Sequence, residues 1–158
     1  MFRQVGQRAF LATTLMMVLF FHAAHMALVV FDPHLSSRPL ADALMHSPEG
    51  TLVTEGHYYP LSSIVFYANR AGLLWDADRV NMEYGSYAPG ALKAFIDDSD
   101  LVSYWNRSAR CYFFVKDQDI ANYRRILGAA PMYVVAMSGG KSLYTNQPLA
   151  SAPARSGL

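Results

Sequence analysis

The hydrophobic pattern divides the chain at one point. Ala9–Phe31 (AFLATTLMMVLFFHAAHMALVVF) carries no Asp, Glu, Lys or Arg over 23 residues, whereas the chain beyond it alternates short apolar runs with polar clusters. A helix of that length is about 34 Å long, enough to cross a hydrocarbon core of about 30 Å. The pattern predicts a basic tail over residues 1–8, a transmembrane helix over 9–31, an α/β domain over 32–148 and a disordered tail over 149–158. A secretory signal peptide is the rival reading, but its apolar region is shorter, about 7–15 residues, and ends in small residues at a cleavage site. The segment HAAHMALVV is a poor cleavage signal, so the run reads as a retained span.

Beyond the run the periods are short. Asp32-Pro33 should stop the helix, because proline cannot donate and its predecessor avoids the α region. Ser36 or Ser37 caps a helix over Arg38–Met45, and Ser47-Pro48-Glu49-Gly50 is a turn. Thr51–Glu55 reads as a strand, Ser62–Arg70 as a helix capped by Ser62 or Ser63, and Leu73–Trp75 as a second strand. Asn81–Gly90 is a loop, Leu92–Ile96 a third strand, and Asp100 caps a short helix through Trp105. Arg110–Lys116, rich in aromatic and β-branched residues, is the clearest strand. Asp117 caps a helix over Gln118–Leu127 that Gly128 ends. Met132–Met137, the turn Ser138–Lys141 and Ser142–Thr145 form a hairpin. Alternating strands and helices predict an α/β fold: one N-terminal transmembrane helix, then a small α/β domain with a mostly parallel sheet and a C-terminal β-hairpin.

Charge and composition narrow the partners. The net charge of +1 offers no basic face, so no nucleic-acid partner is expected. The single cysteine, Cys111, excludes an intramolecular disulfide and, lying in a strand, reads as a small core residue. Arg3 and Arg8 precede the apolar run, and positive residues stay cytoplasmic, which puts the α/β domain on the far side of the membrane. His22 and His25 lie inside the run at i, i+3 and share a face; polar groups at such depth turn toward protein rather than lipid, so they are read as helix-packing positions.

Catalytic motifs are scarce. Gly139-Gly140-Lys141-Ser142 imitates the end of a P-loop, but Val135 stands where that loop needs glycine, and a strand follows instead of a helix. Three Asp-x-Asp triplets occur; Asp98/Asp100 and Asp117/Asp119 sit at helix starts, and Asp76/Asp78 borders a loop and reads as a solvated turn. His34, His46 and His57 lack zinc spacing. No metal, cofactor or complete catalytic set is expected.

One ordered set of motifs remains: Glu55-Gly56 and Tyr59, Ser62-Ser63-Ile64-Val65-Phe66-Tyr67, Glu83-Tyr84-Gly85-Ser86, Phe95-Ile96-Asp97-Asp98, Trp105, and Ser138-Gly139-Gly140-Lys141 with Thr145-Asn146. Their order and spacing resemble the C-terminal extracytoplasmic domain, with the last membrane helix, of bacterial polyprenyl-phosphate-dependent GT-C glycosyltransferases, similar to aminoarabinose transferases and family 39 protein mannosyltransferases. The resemblance covers about residues 10–148. It implies a single-pass protein of the bacterial inner membrane with its C-terminal domain periplasmic. It also implies membrane lipid, a multi-spanning glycosyltransferase bundle and a polyprenyl-phosphate sugar as partners. In the family the catalytic acid lies in an early loop that this chain does not match, so no catalytic residue is carried over. The expected function is a lid or docking portion of such an enzyme, noncatalytic alone. The alternative is a stand-alone anchored module that binds a carbohydrate or envelope partner. A third reading has Asp76, Asp78 or Glu55 serving a small hydrolase or transferase. Glu55, Tyr67, Arg70, Tyr84, Tyr87, Lys93, Lys141 and Asn146 are the candidate ligand or partner contacts.

Overall fold

A computed structural model describes residues 2–56, 58–77, 79 and 82–149, and gives the backbone alone for 2–5, 33 and 58–61. His57, Asp78, Asn81 and residues 150–158 of the expected tail lie outside the described residues. The chain divides into two compact units between Leu35 and Ser36.

The first unit is helix α1, Phe2–Leu35. Its stretch Gly6–Asp32 is long and apolar enough to cross a membrane, and its apolar side chains, among them Leu15, Phe20 and Val30, stand exposed. The helix runs two residues past Pro33, because proline withholds one backbone bond and the chain beyond it can still close the last turn. Thr14 Oγ1 returns its proton to the Phe10 carbonyl at 2.9 Å, which satisfies the hydroxyl without a neighbour.

The second unit is a six-stranded mixed sheet in the order β3-β2-β1-β4-β6-β5. The strands are β1 (Thr51–Glu55), β2 (Gly72–Trp75), β3 (Phe95–Ile96), β4 (Cys111–Lys116), β5 (Tyr133–Ser138) and β6 (Lys141–Thr145). β3, β2, β1 and β4 pair in parallel, and β6 joins β4 antiparallel as the inner arm of the β5–β6 hairpin. The hairpin turns on Gly139 and Gly140, at φ 57° and 72°; two positive φ values in succession suit the turn whose twist matches its strands, and glycine reaches them without a Cβ clash.

The helices are α2 (Arg38–Met45), α3 (Tyr58–Ala68), α4 (Glu83–Ser86), α5 (Asp98–Trp105) and α6 (Ile120–Leu127); α2 and α3 cover one face of the sheet and α5 and α6 the other, while α4 carries no buried residue. The side-chain alternation of β4 divides the core. Cys111, Phe113 and Val115 pack with Trp105, Tyr123 and Leu127 on the α5/α6 side; Tyr112 and Phe114 pack with Leu40, Leu44 and Ile64 on the α2/α3 side. This explains why β4 is a continuous apolar run, since both its faces are buried. Cys111 is a core residue, and burial pushes its thiol up to about 12, so it stays protonated and unreactive.

Several features differ from the sequence pattern: the expected loop Asn81–Gly90 holds the short helix α4, β3 is shortened to Phe95–Ile96, and three further differences have local physical reasons. α3 starts at Tyr58, which places Pro60 in the first turn, where its missing N–H has no helical partner to lose. α5 is capped by Asp97 rather than Asp100: Asp97 Oδ1 accepts from Asp100 N at 2.9 Å, and Asp100 Oδ2 accepts from Asp97 N at 3.4 Å, closing a capping box. Asp97→Ala is expected to lower the midpoint of chemical denaturation; an unchanged midpoint would refute the cap. Finally, Asp117 caps nothing. It opens a short 3-10 turn, Asp117–Asp119, and its carboxylate accepts a hydrogen bond from the Ser142 hydroxyl.

Candidate functional site

In a sheet of this kind the C-terminal ends of the parallel strands are where backbone crossovers part and leave a crevice. Here β1 sends its crossover to β2 on one side while β4 lies on the other, so the switch falls between Glu55, the last residue of β1, and Lys116, the last of β4. Glu55 is half-buried there. Burial, reinforced by the negative charges of Asp119 and Asp76 and opposed by Lys116, raises its carboxyl from the usual 4.5 to about 7. Beneath it Tyr123 is fully buried against Trp75 and Phe113, with ring centroids 4.8 and 3.8 Å away. The Tyr123 hydroxyl has no hydrogen-bond partner and feels Glu55, Asp119 and Asp76, and burial pushes it up. Glu55 can therefore hold or release a proton near neutral pH, which suits donation to or acceptance from a hydroxyl.

Beside this cluster a cleft of about 750 Å³ opens at the ends of β2 and β3, lined by Asp76, Arg79, Lys93 and Phe95 through Asp100. Asp76 belongs to both and sits at φ 48°, a left-handed conformation that aspartate tolerates better than most residues. Lys93 is 67% exposed and pairs with Asp100 at 2.7 Å. The Arg79 guanidinium lies 4.9 Å from the Tyr87 ring centre and 5.3 Å from that of Phe95, and donates to Ser86 Oγ at 3.3 Å. It thereby ties the loop carrying Tyr87 to β3. Tyr84, 89% exposed, is the outermost ring of that loop.

The expected contacts do not form one site. Glu55, Tyr87 and Lys93 sit around the strand ends just described, with Tyr84 on the same loop as Tyr87. Lys141 pairs in register with Lys116 at that edge, but its Nζ turns inward to the Ser36 carbonyl at 3.3 Å and Ser37 Oγ at 3.4 Å, and burial lowers its proton affinity. Tyr67 lies on α3, edge-on to Phe66 with the Arg38 guanidinium 5.7 Å over its ring. Arg70 and Asn146 lie at the opposite edge of the sheet; Arg70 Nη1 is buried without a partner, and Asn146 is enclosed by backbone. His22 and His25 line one face of α1 with Thr14, Val18 and Phe21. Sequence patterns read Asp119 as a helix-start carboxylate and did not single out Tyr123; the available signal was their position just after a strand end.

No family model matches this sequence, and no curated protein does. Among solved structures, the chain is similar to ArnT from Cupriavidus metallidurans. With ArnT bound to undecaprenyl phosphate the TM-score is 0.55 at 17% identity, over 75% of this chain and 21% of that one. With the apo state the TM-score is 0.54 at 16% identity, over 73% and 20%. ArnT is a GT-C aminoarabinose transferase, the kind of enzyme that the ordered motifs resemble. The likeness establishes a shared fold, and the chain spans about a fifth of the length of the ArnT chains it matches.

Proposed function

We propose that this chain is a membrane-anchored portion of a polyprenyl-phosphate-sugar-dependent glycosyltransferase. It acts as a lid or docking domain for a multi-spanning catalytic bundle and transfers no sugar alone. The observation that carries this reading is the fold shared with ArnT over three quarters of the chain. The apolar α1 and the arginines before it support an inner-membrane anchor with a periplasmic α/β unit. The cluster at Glu55 and the loop of Tyr84 and Tyr87 supply hydroxyl-binding and sugar-stacking groups for the donor or for a partner loop. His22 and His25 on one face of α1 give the side that meets neighbouring helices.

The test is reconstitution. In a bilayer, the chain alone should transfer no sugar from a polyprenyl-phosphate donor, and it should co-purify with a multi-spanning glycosyltransferase encoded beside it. His22→Leu with His25→Leu should leave insertion intact and lower recovery of that complex several-fold. Sugar transfer by the isolated chain would sink the proposal. The α/β unit has its own core on both sheet faces, which favours a second reading as a self-sufficient carbohydrate-binding module. Binding of carbohydrate by the chain, with no bundle recovered, would select that reading.

A further inference from the structure

At the edge of the sheet opposite Glu55, where β1 and β4 begin, a cleft of about 640 Å³ is lined by Glu49, Gly50, Thr51, Arg70, Ala109 and Arg110. Its floor is backbone. Gly50 lies so close to β4 that a Cβ there would come within 2.7 Å of the Arg110 carbonyl, which itself accepts from Thr51 N at 3.0 Å. Two guanidiniums approach this floor. Arg70 and Arg110 line the cleft together, and the Tyr112 hydroxyl donates to the Pro48 carbonyl at 2.6 Å.

Among the described residues, neither arginine meets a carboxylate. Arg110 donates only to uncharged acceptors: Nη1 to Thr145 Oγ1 at 3.3 Å and to the Gln147 carbonyl at 3.0 Å, Nη2 to the Pro148 carbonyl at 3.2 Å. Arg70 Nη1 is buried with no acceptor at all. Glu49 lines the cleft, yet among the described residues the ion pair present is Lys93–Asp100, and no carboxylate reaches either arginine. A desolvated guanidinium donor left empty is costly, and planar forks of this type match the oxygens of tetrahedral anions.

We infer that this cleft binds a phosphate group, with Arg70 supplying the empty donor and Arg110 the second positive charge. The inference stands on these residues and is independent of the glycosyltransferase reading. The phosphate belongs either to a lipid headgroup or to a soluble molecule. Both present the same oxygens.

The experiment uses the full chain in phosphatidylcholine nanodiscs, titrated with inorganic phosphate at constant ionic strength and followed by thermal unfolding and arginine side-chain NMR. Phosphate should raise the unfolding temperature saturably and move the Arg70 and Arg110 resonances. Arg70→Gln should weaken the phosphate response about tenfold, the loss expected for a charge-assisted bond. Because Arg70 Nη1 has no partner to lose, this variant should unfold no earlier than the parent without phosphate. Arg125→Gln, on α6 and hydrogen-bonded to Asn122, should respond like the parent. Nanodiscs containing phosphatidic acid distinguish the sources: competition with inorganic phosphate assigns the site to a lipid headgroup, and its absence to a soluble phosphate. An unsaturable response, or one unchanged in Arg70→Gln, overturns the inference.

Discussion

Replacing Asn146 with alanine is expected to lower the unfolding free energy of the α/β unit by about 2–4 kcal/mol, the cost of stranding several buried backbone groups at once. Asn146 is 9% exposed. Its Oδ1 accepts from Cys111 N at 2.9 Å, and its Nδ2 donates to the carbonyls of Trp105 at 2.9 Å, Ala109 at 3.1 Å and Arg107 at 3.4 Å. One amide thus closes the turn between α5 and β4 and supplies a partner for the first N–H of β4. Alanine removes the acceptor and both donors without admitting water to replace them. Asn146→Asp should be at least as damaging, because a carboxylate keeps the acceptor but points negative oxygen at three carbonyls. Urea unfolding of the full chain in detergent, followed by near-ultraviolet circular dichroism, measures the change. A ligand contact would behave differently, altering binding while leaving the midpoint in place. A loss below about 0.5 kcal/mol, the range of ordinary surface substitutions, would contradict the buried latch.

Asn146 also illustrates what a sequence can and cannot convey. Its polarity marks it as a hydrogen-bonding residue, but its partners lie 35–41 positions earlier, and only the closed fold brings them together. Local features were legible for the same reason in reverse. The helix after Ser37, the apolar run of β4 and the paired glycines of the hairpin depend on neighbours within a few residues, and those elements appear where the pattern puts them, although the Ser37 side chain makes no capping bond. Sheet order is not local. β1 pairs with β4 through Thr51 and Cys111, across three helices and two strands, and no pattern within either strand states that choice. The site follows the sheet. Glu55 could be singled out from its motif, but Asp76, Lys116 and Asp119 gather around it only because three strand ends meet at one edge. Asp119 alone looked like a helix-start carboxylate, and Tyr123 like any aromatic on an amphipathic helix.

The same gathering of charge makes stability depend on pH through Glu55. Its folded-state value of about 7 lies above the ordinary 4.5, so between those two values the folded chain holds a proton that the unfolded chain has released. Stability must therefore fall as pH rises through that window, be complete below it and level off above it. Glu55 is partly open to water, which screens the charges around it, so a loss of about 1–2 kcal/mol is expected rather than the full equivalent of the shift. Glu55→Gln keeps the shape and removes the titration. It should match the parent near pH 4.5, exceed its stability at pH 8 by about the same 1–2 kcal/mol, and erase this part of the pH slope. Asp119→Asn tests the cause, since removing the largest neighbouring charge should move the window to lower pH while leaving Glu55 in place. Unfolding free energies measured from pH 4.5 to 8 decide the matter, and a Glu55→Gln slope identical to the parent's would show that the carboxyl titrates as if in water. If the window is where the cluster puts it, the edge of the sheet carries a carboxyl divided between its two protonation states near neutral pH. Such a group can both donate to and accept from a hydroxyl held at the strand ends.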